Sequence, residues 1–408
     1  MRTRARALVV AALVAVGAVG SARDAAAQLP EGPYVTAGGR LSVAGEFSAT
    51  ASPRDDQAFF NYTDYAHDAL RTVRGRVLAE WRVASRVALL GELRIENNDS
   101  VAAAALFVRW RPWTAREFDV QVGRIPPVVG AFARRAYGRD NLVIGIPLAY
   151  QYLTSLRPDA LPRTADDVLR MRARGWQPSF PLGSNAVAPG TALISAFRWP
   201  TGAEAQWRAG RFDAAGAITR GSPAVPGVLE GTRGLAVSGR MAVTAASGLT
   251  IGVSAARGPW IHRGVLATVA EPMRNRDGQT LVGTDVEYGL GRLLVRGEWI
   301  RSAFEIPAVA APMVSKPLVA SSGFAEARYR WRPRWQTAVR VERLGFSTIE
   351  NVLGALAPWD APVQRVEAIV GYRAARNLEI RAGWQHDWRQ GGRVRTRGMP
   401  AMQVLYWF

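Results

Sequence analysis

The chain has 408 residues, 52 Lys+Arg against 33 Asp+Glu, three His and no Cys, for a formal charge of +19. With 48% hydrophobic residues and 14 Trp it is too apolar and aromatic for a disordered chain. The missing cysteine excludes disulfide scaffolds, thiol nucleophiles, zinc–cysteine sites and iron–sulfur clusters, and three His leave little for a metal centre, so neither cofactor nor metal is expected.

At the N-terminus, Arg2, Arg4 and Arg6 precede an apolar run from Ala7 to Val19, and Ala25-Ala26-Ala27 supplies an A-x-A cleavage site. This pattern predicts a secretory signal peptide over 1–27 and a mature chain over 28–408. No later apolar run approaches the length of a spanning helix, so any membrane integration must be by β-barrel.

The dominant hydrophobic period after the leader is two. From Arg74 to Val83, Val77, Ala79, Trp81 and Val83 fall on one face and Arg74, Arg76, Glu80 and Arg82 on the other. The same alternation recurs over 86–96, 324–331, 335–342 and 377–387. Sixteen antiparallel strands are predicted: 34–49, 70–83, 86–97, 100–111, 116–124, 191–199, 203–220, 234–246, 248–257, 280–289, 291–301, 322–332, 334–345, 362–373, 375–388 and 399–408. The segment 203–220 changes face near Ala209-Gly210, where an extra hairpin would alter the count; eighteen strands is the alternative. Tight turns alternate with mostly long connectors, the asymmetry of an all-β transmembrane barrel of the outer membrane. The aromatics divide into two interfacial girdles. Trp81, Trp110, Trp113, Trp199, Trp331, Trp335, Tyr372, Tyr406 and Phe408 belong to the turn end, and Trp299, Trp384 and Trp388 to the loop end.

The polar strand faces point into the lumen and make a pore wall of mixed sign. Its candidate residues are Arg74, Arg76, Arg94, Arg328, Arg330, Arg340, Arg365 and Arg381, with Glu92, Glu326 and Glu342. They read either as a salt-bridged network propping the barrel open or as an arginine ladder for anions. Sixteen strands leave an aqueous channel rather than a packed interior.

Residues 125–190 form a single connector, too long for a structureless surface loop. Thr164-Ala165-Asp166-Asp167 predicts a capped helix running to about Arg174. Arg134, Arg135 and Arg139 lie in the same connector and are the candidate constriction residues. At the C-terminus, Met402, Val404, Tyr406 and Phe408 alternate and the chain ends on Phe408, which resembles the assembly signal of bacterial outer-membrane proteins, with Tyr406 and Phe408 as its key residues.

The leader, the strands, the long third loop and terminal Phe408 together resemble the bacterial porins. Gly123-Arg124-Ile125-Pro126-Pro127-Val128-Val129-Gly130 is similar to a Gly-[Lys/Arg]-x-x-x-Pro-x-Gly-like segment of phosphate-selective and related anion porins. Those members use Lys-rich clusters, whereas this chain has one Lys, Lys316, in a different loop. The resemblance implies a third loop folded into the barrel and passive diffusion of small hydrophilic solutes. Fixed arginine charge adds a mild anion preference. Partners to expect are outer-membrane lipid, the barrel-assembly machinery, such solutes, anions among them, and further copies of the chain in a homotrimer. Nucleic acid is not expected, since the Arg are scattered among acids. An enzyme is not expected either: His67, His262 and His386 sit in no nucleophile motif. The alternative function is a non-conducting structural or adhesive barrel.

Overall fold

The computed structural model describes residues 32–36, 38–55, 62–63, 67–68, 70–97, 101–113, 115–136, 138–196, 198–226, 234–270, 275–307, 314 and 316–408. The predicted signal peptide lies outside the described residues.

Alternating sequences of β-branched, aromatic and charged residues fold into sixteen long antiparallel strands that close on themselves. In chain order they are β1 (Leu41–Ala51), β2 (Val73–Ala84), β3 (Val87–Glu96), β4 (Ala102–Trp110), β5 (Glu117–Arg124), β6 (Thr201–Ala209), β7 (Phe212–Arg220) and β8 (Leu235–Ala246). The second half comprises β9 (Leu249–Pro259), β10 (Gly278–Leu290), β11 (Leu293–Phe304), β12 (Leu318–Arg332), β13 (Trp335–Phe346), β14 (Val363–Ala375), β15 (Leu378–Arg389) and β16 (Thr396–Trp407). Each strand pairs with the next, and β16 closes the ring on β1 from Glu46↔Trp407 to Ala51↔Met402. Closure leaves no sheet edge to satisfy, which a strand needs if it is to sit in hydrocarbon.

Past the end of β16, Phe408 and Gly45 exchange backbone hydrogen bonds of 2.9 and 3.1 Å. The Phe408 ring meets Tyr34 edge-on at 5.3 Å and stacks near Phe47 at 6.5 Å. The short strand Tyr34–Thr36 then pairs with Leu41–Val43, prolonging the edge that β16 leaves. Both ends of the described chain therefore meet on β1.

Burial is the reverse of a soluble protein's. Met241, Val237 and Leu106 on the outward face are 62%, 61% and 56% exposed, whereas the inward Arg340, Arg365 and Glu326 are 0%, 2% and 3% exposed. Apolar atoms face outward because lipid surrounds the wall, and charges face inward because only the lumen offers water or partners. No helix among the described residues is long and apolar enough to cross a membrane; the crossings are strands.

The count of sixteen arises differently from the sequence reading. Residues 203–220 are two strands, β6 and β7, joined by a turn at Gly210-Arg211 in which Gly210 has φ 56°. The described residues of 191–199 form no strand. The hairpin named as the alternative at Ala209-Gly210 forms and the strand expected over 191–199 does not, so the two cancel, and the third connector runs from 125 to 200. Trp199 is 8% exposed and belongs to the lumen, not to the turn-end girdle.

Candidate pore constriction

The third connector enters the barrel as soon as β5 ends. Ile125 N–H donates to Pro200 O at 2.9 Å, closing the neck of the loop. Pro126 and Pro127 remove two backbone donors and hold the chain extended. Ile125 and Val128 bury against Phe107, Ala217 and Trp199. Gly130, at φ 82°, then turns the backbone where an added Cβ would strike the Tyr150 ring, and the 3₁₀ helix Ala131–Arg135 follows.

Irregular backbone at membrane depth survives only where its polar groups find partners. The wall supplies them. Glu298 of β11 accepts from Ala131 N at 2.6 Å and from the Tyr150 hydroxyl at 2.8 Å. Glu367 of β14 accepts from the N–H groups of Ile144 and Gly145 at 2.9 and 2.8 Å. Glu342 of β13 accepts from Leu148 N at 2.6 Å. Gly145 permits this approach, since a Cβ there would collide with the Glu367 carboxylate.

Three wall arginines take the loop's carbonyls. Arg340 pairs with Glu326 at 2.6 Å while donating to Asn141 Oδ1 at 2.6 Å and Gly145 O at 2.9 Å. Arg365 grips both oxygens of Asp387 at 2.9 Å and donates to Ile146 O at 3.0 Å and Gln151 Oε1 at 2.7 Å. Arg381 pairs with Glu379 at 2.6 Å and donates to Gly138 O and Asn141 O at 3.1 and 3.0 Å. Residues 141–151 are all buried by these contacts.

The structure thus brings Arg340, Glu326, Glu342, Arg365 and Arg381 together around the loop, not along an open ladder. Across the lumen, Arg74 pairs with Glu96 at 3.1 Å, and Arg94 with Glu92 at 2.5 Å beneath the Trp199 ring, 5.1 Å from its centroid. Arg76 and Arg328 are half-buried and Arg330 is exposed. The three loop arginines sit on the turn side of the buried segment. Arg134 reaches Glu204 of β6 at 3.2 Å with its side chain still 42% exposed. Arg135 meets Glu287 of β10 at 2.8 Å, a carboxylate shared with Arg296 at 2.8 Å. Arg139 is exposed and lies over the Trp407 ring at 5.6 Å. Both Tyr406 and Phe408 are half-buried at the barrel seam, their rings 6.2 Å apart.

The loop's outer arm carries the expected capping box, Thr164 with Asp167, but the helix is only Ala165–Arg170, and Arg170 pairs with Asp167 at 2.8 Å. This arm joins the connectors above β9–β14 in a second apolar core that includes Leu156, Leu161, Val168, Trp260, Val265 and Trp359. Buried Asp360 ties it down, accepting from the N–H groups of Ser155, Ala173 and Ala361 at 2.7, 2.9 and 2.7 Å. Burial pushes its carboxyl above the usual aspartate range, and those donors hold part of the shift back.

Strand alternation puts Glu287, Glu298 and Glu367 on the inward faces but gives no sign of what they meet, and nothing in the sequence marks Asn141, Tyr150 or Asp360. Among the described residues no cluster of potential metal ligands occurs.

No family model matches the chain. No curated protein matches it either. Solved structures do. Outer-membrane expressed OmpT of Vibrio cholerae matches with TM-score 0.54 and 11% identity over 92% of this chain and 100% of that one. The outer-membrane channel DcaP of Acinetobacter baumannii matches with TM-score 0.54 and 8% identity over 92% and 100%. An anion-selective porin from Comamonas acidovorans matches with TM-score 0.54 and 9% identity over 90% and 99%. At these identities the likeness is one of fold, and the fold is that of the outer-membrane porins.

Proposed function

We propose that this chain is an outer-membrane channel for passive diffusion of small hydrophilic solutes, with a mild preference for anions. The observation that carries the reading is the charged lumen crossed by an inward loop whose exposed Arg134 and Arg139, with Arg135 between them, face water on the turn side. Guanidinium charge persists at any working pH, and in a narrow low-dielectric passage it is screened less than on an open surface. Glu204 and Glu287 moderate that field, so preference rather than strict selection is expected. The anion-selective porin from Comamonas acidovorans shares the fold and lends support. The same proposal includes export by cleavage of 1–27, assembly-machinery recognition of Tyr406 and Phe408, and a homotrimer.

The test is the reversal potential in a KCl gradient across a planar bilayer. Replacing Arg134, Arg135 and Arg139 by Gln should shift it toward cations while the barrel still shows heat-modifiable gel migration. An unchanged reversal potential in a folded triple variant would remove these residues from the conducting path.

A second reading, a non-conducting structural barrel, is favoured by one observation: the loop segment 141–151 is wholly buried against β11–β15. Absence of unit conductance in the wild-type barrel would establish it.

A further inference from the structure

The turns at the short-turn end carry arginine and no acid, and the acids just inside the rim, Glu117 and Asp213, are both paired with Arg208. Arg86, Arg211, Arg292, Arg334 and Arg376 stand in two-residue turns, and Arg111 and Arg116 bracket the longer turn. Only Ser247-Gly248 lacks an arginine, and none of these turns holds an acid. All seven arginines are exposed, and Arg86, Arg116, Arg211, Arg292 and Arg334 make no ion pair among the described residues. The connectors at the opposite end are mixed: 347–362 carries Glu350 and Asp360 and no cation, 305–317 balances Glu305 with Lys316, and 390–395 carries Arg393 and Arg395.

The same turns hold lipid-facing aromatics. Trp110 precedes Arg111, Phe212 follows Arg211 and Trp335 follows Arg334, with 48%, 56% and 37% of each ring residue exposed. Arg116 lies over the Trp113 ring at 5.8 Å. Exposed rings of this kind fix the depth of a barrel at the headgroup level, so the charges beside them stand where phosphates stand. Between the N-terminal turn and the first hairpin turn, a cleft of about 650 Å³ is lined by Arg40, Arg82, Arg86, Arg109 and Arg111. Its single acid, Glu80, is already engaged by Arg109 at 2.8 Å and Arg82 at 3.4 Å.

We propose that this rim is a docking surface for the phosphate headgroups of anionic phospholipids in the leaflet that the short turns face, with the Arg40–Arg86–Arg111 cleft as its deepest seat. It rests on the reading of the chain as an outer-membrane barrel. Planar guanidinium matches phosphate in two-point hydrogen bonding, and basic residues next to a membrane surface attract anionic lipid additively. Two-residue turns offer charge but little relief, which suits a lipid surface better than a folded protein partner.

The experiment measures tryptophan quenching of the full folded protein in vesicles of phosphatidylcholine mixed with brominated phosphatidylglycerol, or the reverse labelling. Phosphatidylglycerol should be preferred on the order of threefold, with the preference fading at high salt. Replacing Arg40, Arg86 and Arg111 by Gln should abolish most of it, whereas Arg263→Gln with Arg393→Gln at the loop end should leave it intact. Equal quenching by both lipids, or a preference that survives the triple substitution in a heat-modifiable barrel, overturns the proposal. Absence of quenching by either lipid overturns the membrane-barrel reading as well.

Discussion

At the scale of single residues, the lumen of this barrel uses charge as an adhesive. Arg340 is the clearest case. It is fully buried, paired with Glu326, bonded to Asn141 and Gly145 of the loop, and stacked between Phe132 at 5.2 Å and Phe324 at 5.4 Å. Removing one partner of such a pair leaves the other buried without compensation, at about 3–5 kcal/mol. Arg340→Met should therefore loosen the loop more than it harms the wall, because β12 and β13 keep their backbone ladder. The expected result is a larger and noisier unit conductance with the folded gel band retained. Adding Glu326→Leu, which removes the stranded carboxylate, should recover part of the wild-type conductance. Wild-type conductance in the single variant would show that Arg340 does not restrain the loop. The sequence identified Arg340 as inward-facing, since face alternates with position along a strand. It did not reveal what the side chain would meet, because Asn141 and Gly145 lie nearly 200 positions away and carry no local periodicity.

At the scale of elements, alternation identified strands well and failed where an extended segment has no ladder. Residues 191–199 read as a strand because Thr191, Ile194 and Trp199 are strand formers. In the fold 191–196 are the buried return arm of the loop inside the barrel, with Leu193 N and Ile194 N donating to Ala149 O at 3.1 Å. The hairpin at Gly210-Arg211 was visible only as a change of face, since Ala-rich β6 and β7 have little contrast between their sides. The outer loop cluster shows a further element-level property. His262 opens a short helix, Arg263–Leu266, whose Val265 and Leu266 enter the same apolar core as the long loop's Leu161. Burial lowers its imidazole pKa below 6.5, with Asp159 opposing the shift. The folded loop thus disfavours protonation of His262 relative to the unfolded segment, which takes up a proton near 6.5. Stability from this contact is present above that pH and is lost as pH falls through and below it. Hydrogen exchange over 259–269, corrected for intrinsic rates, should be faster at about pH 5.5 than at about 7.5, and His262→Gln should remove most of the difference. Equal protection at both pH values in the wild type would show that the imidazole does not couple to the loop.

At the scale of the whole molecule, the lumen is two unlike halves. On the loop side the connector and its apolar core fill the space above β9–β14. On the turn side Arg134, Arg139 and Arg330 remain exposed and Arg76, Arg135 and Arg328 partly so, while Glu287, 36% exposed, is shared between Arg135 and Arg296. The porin-type barrel was legible in the sequence because period and turn asymmetry are local signals. The unequal halves were not, because they depend on which wall the loop meets. A channel with fixed positive charge near one mouth concentrates anions there and passes current unequally in the two directions. The effect requires a field that reaches across the passage. At about 0.1 M salt the screening length is about 10 Å and at about 1 M about 3 Å. In symmetric KCl the current–voltage curve should therefore rectify at the lower concentration and become nearly linear at the higher. Arg135→Gln with Arg139→Gln should weaken the low-salt rectification without changing the high-salt slope. A linear curve at low salt would mean the turn-side arginines are neutralised in place, and rectification persisting at high salt would point to loop movement instead of fixed charge.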